Sequence, residues 1–340
     1  MPCGELHSVV APVFNEVQGI ERFHERCSAA LTKTGVAYEI VYVDDGSRDG
    51  SWGALERLAA RDPRVRLVRL SRNFGHQSAI SAGLADAAGD TVIVIDADLQ
   101  DPPETIPELI ARWRSGADIV YAVRRRREGE SSFKRATSAV FYRVLRWLAD
   151  VDLPLDAGDF RLMSRRAVDA LLAMPEHDRY VRGMVAWIGF ETDRVEYERD
   201  ARFAGETKYP LSRMVRFALD GIVGFSMRPL RLATWLGLLV SAAAFVLAVF
   251  LVIARLQGHI PVQGWTSLAV LVLLVGGVQL VTIGVIGEYM ARIYNEVRGR
   301  PLFLVRERRG FADEPTVRDA RGAQDDRQRR DRVPTDPPAN

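Results

Sequence analysis

The stretch that most constrains this chain runs from Thr91 to Glu104 and reads TVIVIDADLQDPPE. Thr91 to Ile95 is a short, β-branched, uninterrupted apolar run, the pattern of a strand buried on both faces. It breaks off at Asp96, Ala97, Asp98, Leu99, Gln100 and Asp101, and Pro102–Pro103 prevents any continuation. Open α/β sheets place their ligands at the C-terminal ends of such strands. Asp96 and Asp98 are two residues apart, so continued as a strand they point the same way. Two carboxylates that close repel unless something positive lies between them. A hard divalent cation, Mg²⁺ or Mn²⁺, takes such oxygen ligands and bridges them to substrate phosphates. The competing role is capping of the helix that begins near Pro103, and that role is expected of Asp101.

The segments around this stretch alternate between strand and helix. Ser8–Phe14 predicts a first strand ending in Asn15–Glu16, and a helix is expected from about Gly19 to Thr34. Tyr38–Val43 is a second strand, ending in Asp44–Asp45–Gly46–Ser47, and Ser51–Arg61 reads as helix. Val65–Leu70 is a third strand before Ser71-Arg72-Asn73-Phe74-Gly75-His76, and Gln77–Ala88 is an Ala-rich helix. Ile119–Val123 is a further strand. Alternation of this kind predicts an α/β domain with a mostly parallel sheet. The acid and amide turns then gather at one sheet edge. No G-x-x-x-x-G-K-[ST] occurs, and no G-x-G-x-x-G follows the first strand, which argues against a P-loop and a dinucleotide oxidoreductase.

Basic groups follow. Arg124-Arg125-Arg126-Arg127 reads equally as a solvated loop or as a phosphate holder. Ser132–Leu148 has helical amphipathicity, with Phe133, Val140, Phe141, Val144, Leu145 and Leu148 opposed to Lys134, Arg135, Arg143 and Arg146. Asp159 sits between Gly158 and the strand-like Phe160-Arg161-Leu162-Met163, where the bland reading is a turn residue. Arg179-Tyr180-Val181-Arg182-Gly183, Trp187-Ile188-Gly189-Phe190 and Phe203–Pro210 each give a weak signal alone.

Leu232–Ala254 and Trp265–Gly287 are uncharged and long enough to span about 30 Å of hydrocarbon as helices. The mixed apolar and basic Leu211–Arg228 is expected at the membrane surface. Arg228 and Arg231 precede the first span, Arg292, Arg298 and Arg300 follow the second, and the loop between carries only Arg255. The positive-inside rule then predicts both ends in the cytoplasm and the loop outside. No basic n-region precedes an apolar core at the N-terminus, which agrees. The net charge of +2 gives no reason to expect nucleic acid, and two cysteines make neither a disulfide scaffold nor a zinc site. Beyond about Gly310 the tail is charged, poor in aromatics and expected to be disordered. The expected organisation is a cytoplasmic domain over 1–210, an interfacial helix over 211–228, two membrane helices within 229–291 and a cytoplasmic tail over 292–340.

Taken together, these stretches resemble the membrane-bound polyisoprenyl-phosphate glycosyltransferases, the inverting family-2 enzymes that include bactoprenol glucosyltransferases and dolichyl-phosphate mannose synthase. The resemblance covers Ser8 to about Arg300. It is carried by Ala11–Glu16 (APVFNE), Val43–Asp49 (VDDGSRD), Ser71–Ala79 (SRNFGHQSA), Asp96–Glu104 (DADLQDPPE), Gly158–Met163 (GDFRLM), Arg179–Phe190 (RYVRGMVAWIGF) and Gly205–Pro210 (GETKYP). It implies a GT-A, Rossmann-like fold with interfacial helices and two C-terminal transmembrane helices in the inner membrane. It implies a nucleotide-sugar donor, UDP-glucose first, and a polyprenyl phosphate acceptor of the undecaprenyl type in the bilayer. It implies that Pro12, Phe14, Glu16, Asp44, Asp45, Asn73, His76, Asp96 and Ala97 line the nucleotide-sugar site. Asp98 and Gln100, with Asp96, are then the Mg²⁺ or Mn²⁺ ligands, and Asp98 and Asp159 the catalytic pair. Arg124, Arg126, Arg179, Arg182, Arg202 and Lys208 are candidates for the acceptor phosphate. A homo-oligomer, tetrameric in bactoprenol-type relatives, and a flippase partner belong to the same picture. The alternatives are mannose, N-acetylhexosamine or aminoarabinose transfer, a processive polysaccharide synthase, and a non-catalytic sugar-nucleotide sensor. The chain has two spans and no Q-x-x-R-W, against the synthase, and an intact acid set, against the sensor.

Overall fold

Four apolar runs pair side by side to begin the sheet: β1 (Leu6–Val13), β2 (Ala37–Asp44), β3 (Val65–Leu70) and β4 (Thr91–Val94). In the computed structural model, which describes residues 5–125, 157–177, 179–198, 228–257 and 264–311, these strands lie parallel in the order β4-β1-β2-β3. The sheet is completed by β5 (Ile119–Arg124), β6 (Ala157–Ser164), β7 (Thr192–Tyr197) and β8 (Val305–Arg309), giving the order β7-β5-β6-β4-β1-β2-β3-β8. Only β6 and β8 run against the rest. This is the α/β, mostly parallel fold class expected from the sequence.

Helices cover both faces. In α1 (Ile20–Thr32), Ile20, Phe23, Cys27, Ala30 and Leu31 recur at helical spacing and are buried. With α2 (Ser51–Arg61) and α4 (Ile106–Arg114) they pack on Val9, Ala11, Ile40, Tyr42 and Ile93 to form the main core. The opposite face receives α3 (His76–Asp86), in which a Cβ on Gly83 would lie 2.3 Å from Val10 Cγ1. Glycine there lets the helix approach the sheet closely. The helices α5 (Arg165–Ala173) and α6 (Val181–Trp187) follow β6. Ser164 caps α5 by accepting a hydrogen bond from the N–H of Ala167.

The chain divides into two units. One holds residues 1–135, 153–208 and 300–340, and the other holds 136–152 and 209–299. The described part of the second unit consists of α7 (Arg228–Leu256) and α8 (Trp265–Arg298). Both are long and apolar enough to cross a membrane, with their most apolar stretches at Leu230–Leu247 and Leu274–Arg298. Leu239, Phe245 and Phe250 of α7 and Leu280 and Val281 of α8 are exposed apolar side chains. Ser132–Leu148, the Gly205–Pro210 loop and all of Leu211–Arg228 but its last residue lie outside the described residues, as does the tail beyond 311.

Several elements were not foreseen. β7 alternates weakly and is rich in charge, and β8, Val-Arg-Glu-Arg-Arg, has almost no apolar content. β8 is stitched to β3 by main-chain pairing, with the N–H of Ser71 donating to the carbonyl of Leu304 at 2.8 Å. Its side chains are held by ion pairs, Arg308 to Asp86 and Arg309 to Glu56. Pairing partners, not residue type, make it a strand.

The N-terminal edge of the sheet is fixed by a buried polar network. The Ser8 hydroxyl donates to Glu39 Oε1 at 2.6 Å and accepts the N–H of Gly89 at 2.8 Å, while Glu39 Oε1 also accepts the N–H of Ala88 at 2.7 Å. Ser8 is fully buried and Glu39 nearly so. Ser8→Ala leaves the N–H of Gly89 without this acceptor and takes one of two hydrogen bonds from Glu39 Oε1, at a cost of about 1–3 kcal/mol. The thermal midpoint of the detergent-solubilised protein, followed by tryptophan fluorescence, should fall accordingly, while Ser28→Ala, made on α1 away from this network, should shift it less.

Candidate active site

The turns after β1, β2 and β3 are sewn together by their own side chains. Asn15 adopts φ 57°, its N–H donates to Ser47 Oγ, and its Oδ1 accepts the N–H of Arg48. The N–H of Glu16 donates to Ser51 Oγ and that of Val17 to Asp49 Oδ2. Asp44, the last residue of β2, accepts the N–H of Ser47 on Oδ1, while its fully buried Oδ2 makes no hydrogen bond and lies 3.5 Å from Arg69 Nε. Asp45 accepts the N–H groups of Phe74 (2.7 Å) and Gly75 (3.0 Å), one on each oxygen. Burial pushes the Asp45 carboxyl up, and the two N–H bonds only partly offset this. Gly46 has φ +74°, and a Cβ there would sit 2.6 Å from the N of Asn73. Pro12 lies within β1, opposite Val43, and Phe14, just past its end, is 47% exposed. Pro12, Phe14, Glu16, Asp44, Asp45 and Asn73 therefore share one edge.

The same edge gathers a second group through β6. Because β6 runs antiparallel to β4 with Arg161 opposite Val94, Asp159 comes abreast of the residues just beyond β4. His76, the first residue of α3, reaches both acids: Nε2 is 3.2 Å from Asp159 Oδ2 and 3.5 Å from Asp96 Oδ1. Arg182 on α6 holds Asp159 in a two-pronged grip, with Nε donating to Oδ1 at 2.9 Å and Nη2 to Oδ2 at 2.8 Å. Arg161, fully buried, adds Nη2 to Oδ1 at 2.9 Å. Burial alone would raise Asp159, but hydrogen bonds from His76 and Arg182 and the charges of the two arginines hold it well below the usual carboxylate range. Burial likewise would lower His76, and its bond to Asp159 and the field of Asp96 raise it instead. Asp96 is pushed up to about 6, by burial first and then by Asp159, Asp98 and Asp101, with His76 opposing.

The expectation that Asp96 and Asp98 extend from a strand is corrected. β4 ends at Val94, and Asp96 to Asp101 form a turn in which Leu99 has φ 60° and is buried. Asp98 bends back, accepting the N–H of Gln100 on Oδ1 (3.1 Å) and its amide Nε2 on Oδ2 (2.7 Å). Ala97, nearly fully buried, carries the turn past Gly19. The turn forms because Leu99 is drawn into the core, which separates the two acids by orientation rather than by strand alternation.

Asp101 lies ahead of the 3₁₀ turn at Pro103–Thr105, whose N-cap is Pro102. It is 1% exposed, accepts the Tyr197 hydroxyl at 2.5 Å and lies 3.7 Å from Arg124 Nη2. Asp159 lies within β6, not in a turn. Arg179 donates to the carbonyls of Met174 (2.6 Å) and Glu176 (3.2 Å) behind α5. Arg124 lies against Gly158, where a Cβ would be 3.3 Å from Arg124 Nη2. Arg126, Arg202 and Lys208 lie outside the described residues. The sequence reading passed over Arg161 and Tyr197. Arg161 was within reach, since two residues from Asp159 on one strand places both on one face.

Residues 8–172 match the family model described as glycosyl transferase family 2. A protein of Bacillus subtilis (strain 168), the uncharacterized glycosyltransferase YkcC, is 45% identical over 313 residues, covering 92% of this chain and 97% of its own. The chain belongs to glycosyl transferase family 2. Another family relative, the bactoprenol glucosyl transferase of Shigella phage SfII, is 41% identical over 300 residues, covering 88% of this glycosyltransferase and 97% of that protein. Among solved structures, the mannosyltransferase PcManGT from Pyrobaculum calidifontis, in complex with GDP-Man and Mn2+, aligns over 84% of this chain and 86% of its own at 19% identity and a TM-score of 0.43.

In this family-2 glycosyltransferase, no cluster of three or more His, Cys, Asp or Glu among the described residues is placed to hold a metal by itself. Asp96 nevertheless fits a divalent cation. Its Oδ1 is buried without a hydrogen bond and its carboxyl is destabilised by burial and by three neighbouring acids. Asp98 and Gln100 add hard oxygen donors on the same turn. The open positions would fall to substrate phosphates. Gly46 is the tightest point of the edge, and the left-handed backbone excludes a side chain there. Gly46→Ala should push the Asn73 loop away and weaken nucleotide binding at least tenfold, measured as the Kd for UDP by titration calorimetry, while Gly35→Ala, also at positive φ but in open space, should leave it unchanged.

Proposed function

We propose that this chain is a membrane-bound, inverting hexosyltransferase that moves glucose from UDP-glucose to a polyprenyl phosphate of the undecaprenyl type. The observation that carries the reading is the Asp159 cluster: a buried anion that gathers His76, Arg161 and Arg182 at the sheet edge beside Asp96. The relative named bactoprenol glucosyl transferase, alike over most of both chains, supports the choice of sugar and lipid.

In this reading the nucleotide sugar lies along the edge formed by Pro12, Phe14, Glu16, Asp44, Asp45, Asn73 and Ala97, with its diphosphate toward Asp96 and Asp98. Mg²⁺ or Mn²⁺ on Asp96, Asp98 and Gln100, when bound, would supply positive charge beside the leaving diphosphate. Arg124 and Arg182 hold the acceptor phosphate, with Arg126, Arg202 and Lys208 as further candidates. An acceptor phosphate oxygen attacks the anomeric carbon as the bond to the donor diphosphate breaks. UDP leaves with that electron pair, and the anomeric centre inverts. The attacking oxygen is already anionic near neutral pH, so no general base is required. Asp159 suits this, because cations occupy both its oxygens and it has no proton affinity to lend. Its role is to orient Arg182, whose Nε and Nη2 it engages.

Membrane crossing by both long helices accords with the chain path. After α8 the chain returns as β8 to the same sheet that it left after β7, as an even number of crossings allows. The arginines flanking the helices support a topology with both termini in the cytoplasm and the Arg255–Gly264 loop outside.

Asp98→Ala should reduce transfer at least a hundredfold in the solubilised full-length enzyme while thermal unfolding stays within a few degrees of the parent, and EDTA should inhibit the parent reversibly. Near-normal turnover in the variant, together with indifference to EDTA, would remove the metal from the mechanism. For topology, Gln257→Cys in a background with Cys3 and Cys27 replaced by Ser should react with an impermeant maleimide in intact cells. Labelling only after lysis would reverse the orientation.

A further inference from the structure

We infer that Tyr197 and Asp101 form a buried pair that positions Arg124 for the acceptor phosphate. The inference rests on the phosphate role given to Arg124 above and assigns two positioning residues behind it.

Arg124 ends β5, and Tyr197 ends the neighbouring parallel strand β7, directly opposite it in register. The Arg124 Nε donates to the Tyr197 hydroxyl at 3.1 Å. That hydroxyl donates in turn to Asp101 Oδ1 at 2.5 Å. Asp101, in the turn beyond β4, is 1% exposed, so three different segments converge on one hydroxyl. The Tyr197 ring is itself locked, edge-on to Phe160 at 5.7 Å between centroids. Phe160 is the residue after Asp159, so the lock and the cation cluster share a strand.

The chain of donors has one direction. A carboxylate only accepts and a guanidinium only donates, so the hydroxyl between them must accept from Arg124 and give its proton to Asp101. This fixes the hydroxyl and, through it, the plane of the guanidinium. Among the described residues Arg124 makes that one hydrogen bond, and neither of its terminal nitrogens makes one. Nη2 lies against Gly158, next to Asp159, where a Cβ would come within 3.3 Å of it. The charge of Arg182 acts against that of Arg124. Two cations held near each other, one with its fork unspent, suit a tetrahedral dianion that accepts from both. Asp101 lies 3.7 Å from Arg124 Nη2, too far for a hydrogen bond, so it steadies the charge without occupying the fork. Sequence alone marks Asp101 as a helix cap and gives Tyr197 no part.

The test is a double-mutant cycle on the full-length, detergent-solubilised enzyme, with two binding readouts that do not depend on the sugar: the Kd for undecaprenyl phosphate and the Kd for UDP. Tyr197→Phe keeps the ring and its packing on Phe160 and removes only the hydroxyl. It should weaken undecaprenyl phosphate about tenfold, the scale of one hydrogen bond to a charged group, and leave UDP within twofold. In an Arg124→Gln background the same substitution should have no further effect on either ligand. Asp101→Asn should repeat the pattern. A loss of equal size in both backgrounds, or a parallel loss of UDP affinity, would show a structural role only and overturn the inference. Should Arg124→Gln weaken undecaprenyl phosphate while Tyr197→Phe does not, the inference fails and the phosphate role of Arg124 stands. Should Arg124→Gln leave undecaprenyl phosphate affinity unchanged, that phosphate role itself is wrong, and the inference falls with it.

Discussion

A carboxylate buried at a sheet edge has to be neutralised, and the site is arranged around doing so for Asp159. Alone in its pocket it would take up a proton; with His76, Arg161 and Arg182 on its two oxygens it stays an anion. Each of those partners comes from a different element, so one buried charge fixes the start of α3, the middle of β6 and the face of α6 relative to one another. Asp96 feels the opposite side of the same arrangement. Burial and the nearby acids leave it needing positive charge, and His76 stands 3.5 Å from its Oδ1. One acid is satisfied by the fold and the other is left for a ligand.

This division fits the proposal that one sheet edge takes two anionic substrates. The β1, β2 and β3 turns spend their side chains on main-chain N–H groups, which makes a rigid wall in which Asp44 keeps one buried oxygen without a hydrogen bond. Strands β5 and β6 and helix α6 bring arginines, Arg124, Arg161 and Arg182. The antiparallel placement of β6 joins the halves, because it turns its N-terminal end toward the C-terminal ends of the others.

The sequence made the parallel half of the sheet legible, since its strands are continuous apolar runs and its turns are rich in Asp, Asn and Gly. Val65–Leu70 and Ser51–Arg61 match the observed elements residue for residue. The other half was less visible for physical reasons. β7 and β8 owe their conformation to neighbours far away in the chain, and Leu99 sets the turn after β4 through its burial, which periodicity does not encode. Asp101 carries the residue type and position of a helix cap, and only the strand pairing that brings Tyr197 alongside Arg124 reveals another partner. Arg161 was hidden by its own burial, since an arginine in a strand is ordinarily expected at the surface.

The strand order also dictates when the sheet is finished. Leu67 of β3 pairs with Arg309 of β8, and everything between them, the two long helices included, must be synthesised before that contact exists. Until then the outer edge of β3 presents unpaired N–H and C=O groups, the kind of edge that invites pairing with another chain. Closing it is the most non-local step of the fold, and loop closure of that span is entropically late. Both long helices are therefore made before the sheet closes, and a chain stalled or truncated before Val305 would hold the rest of the sheet with an open flank at β3.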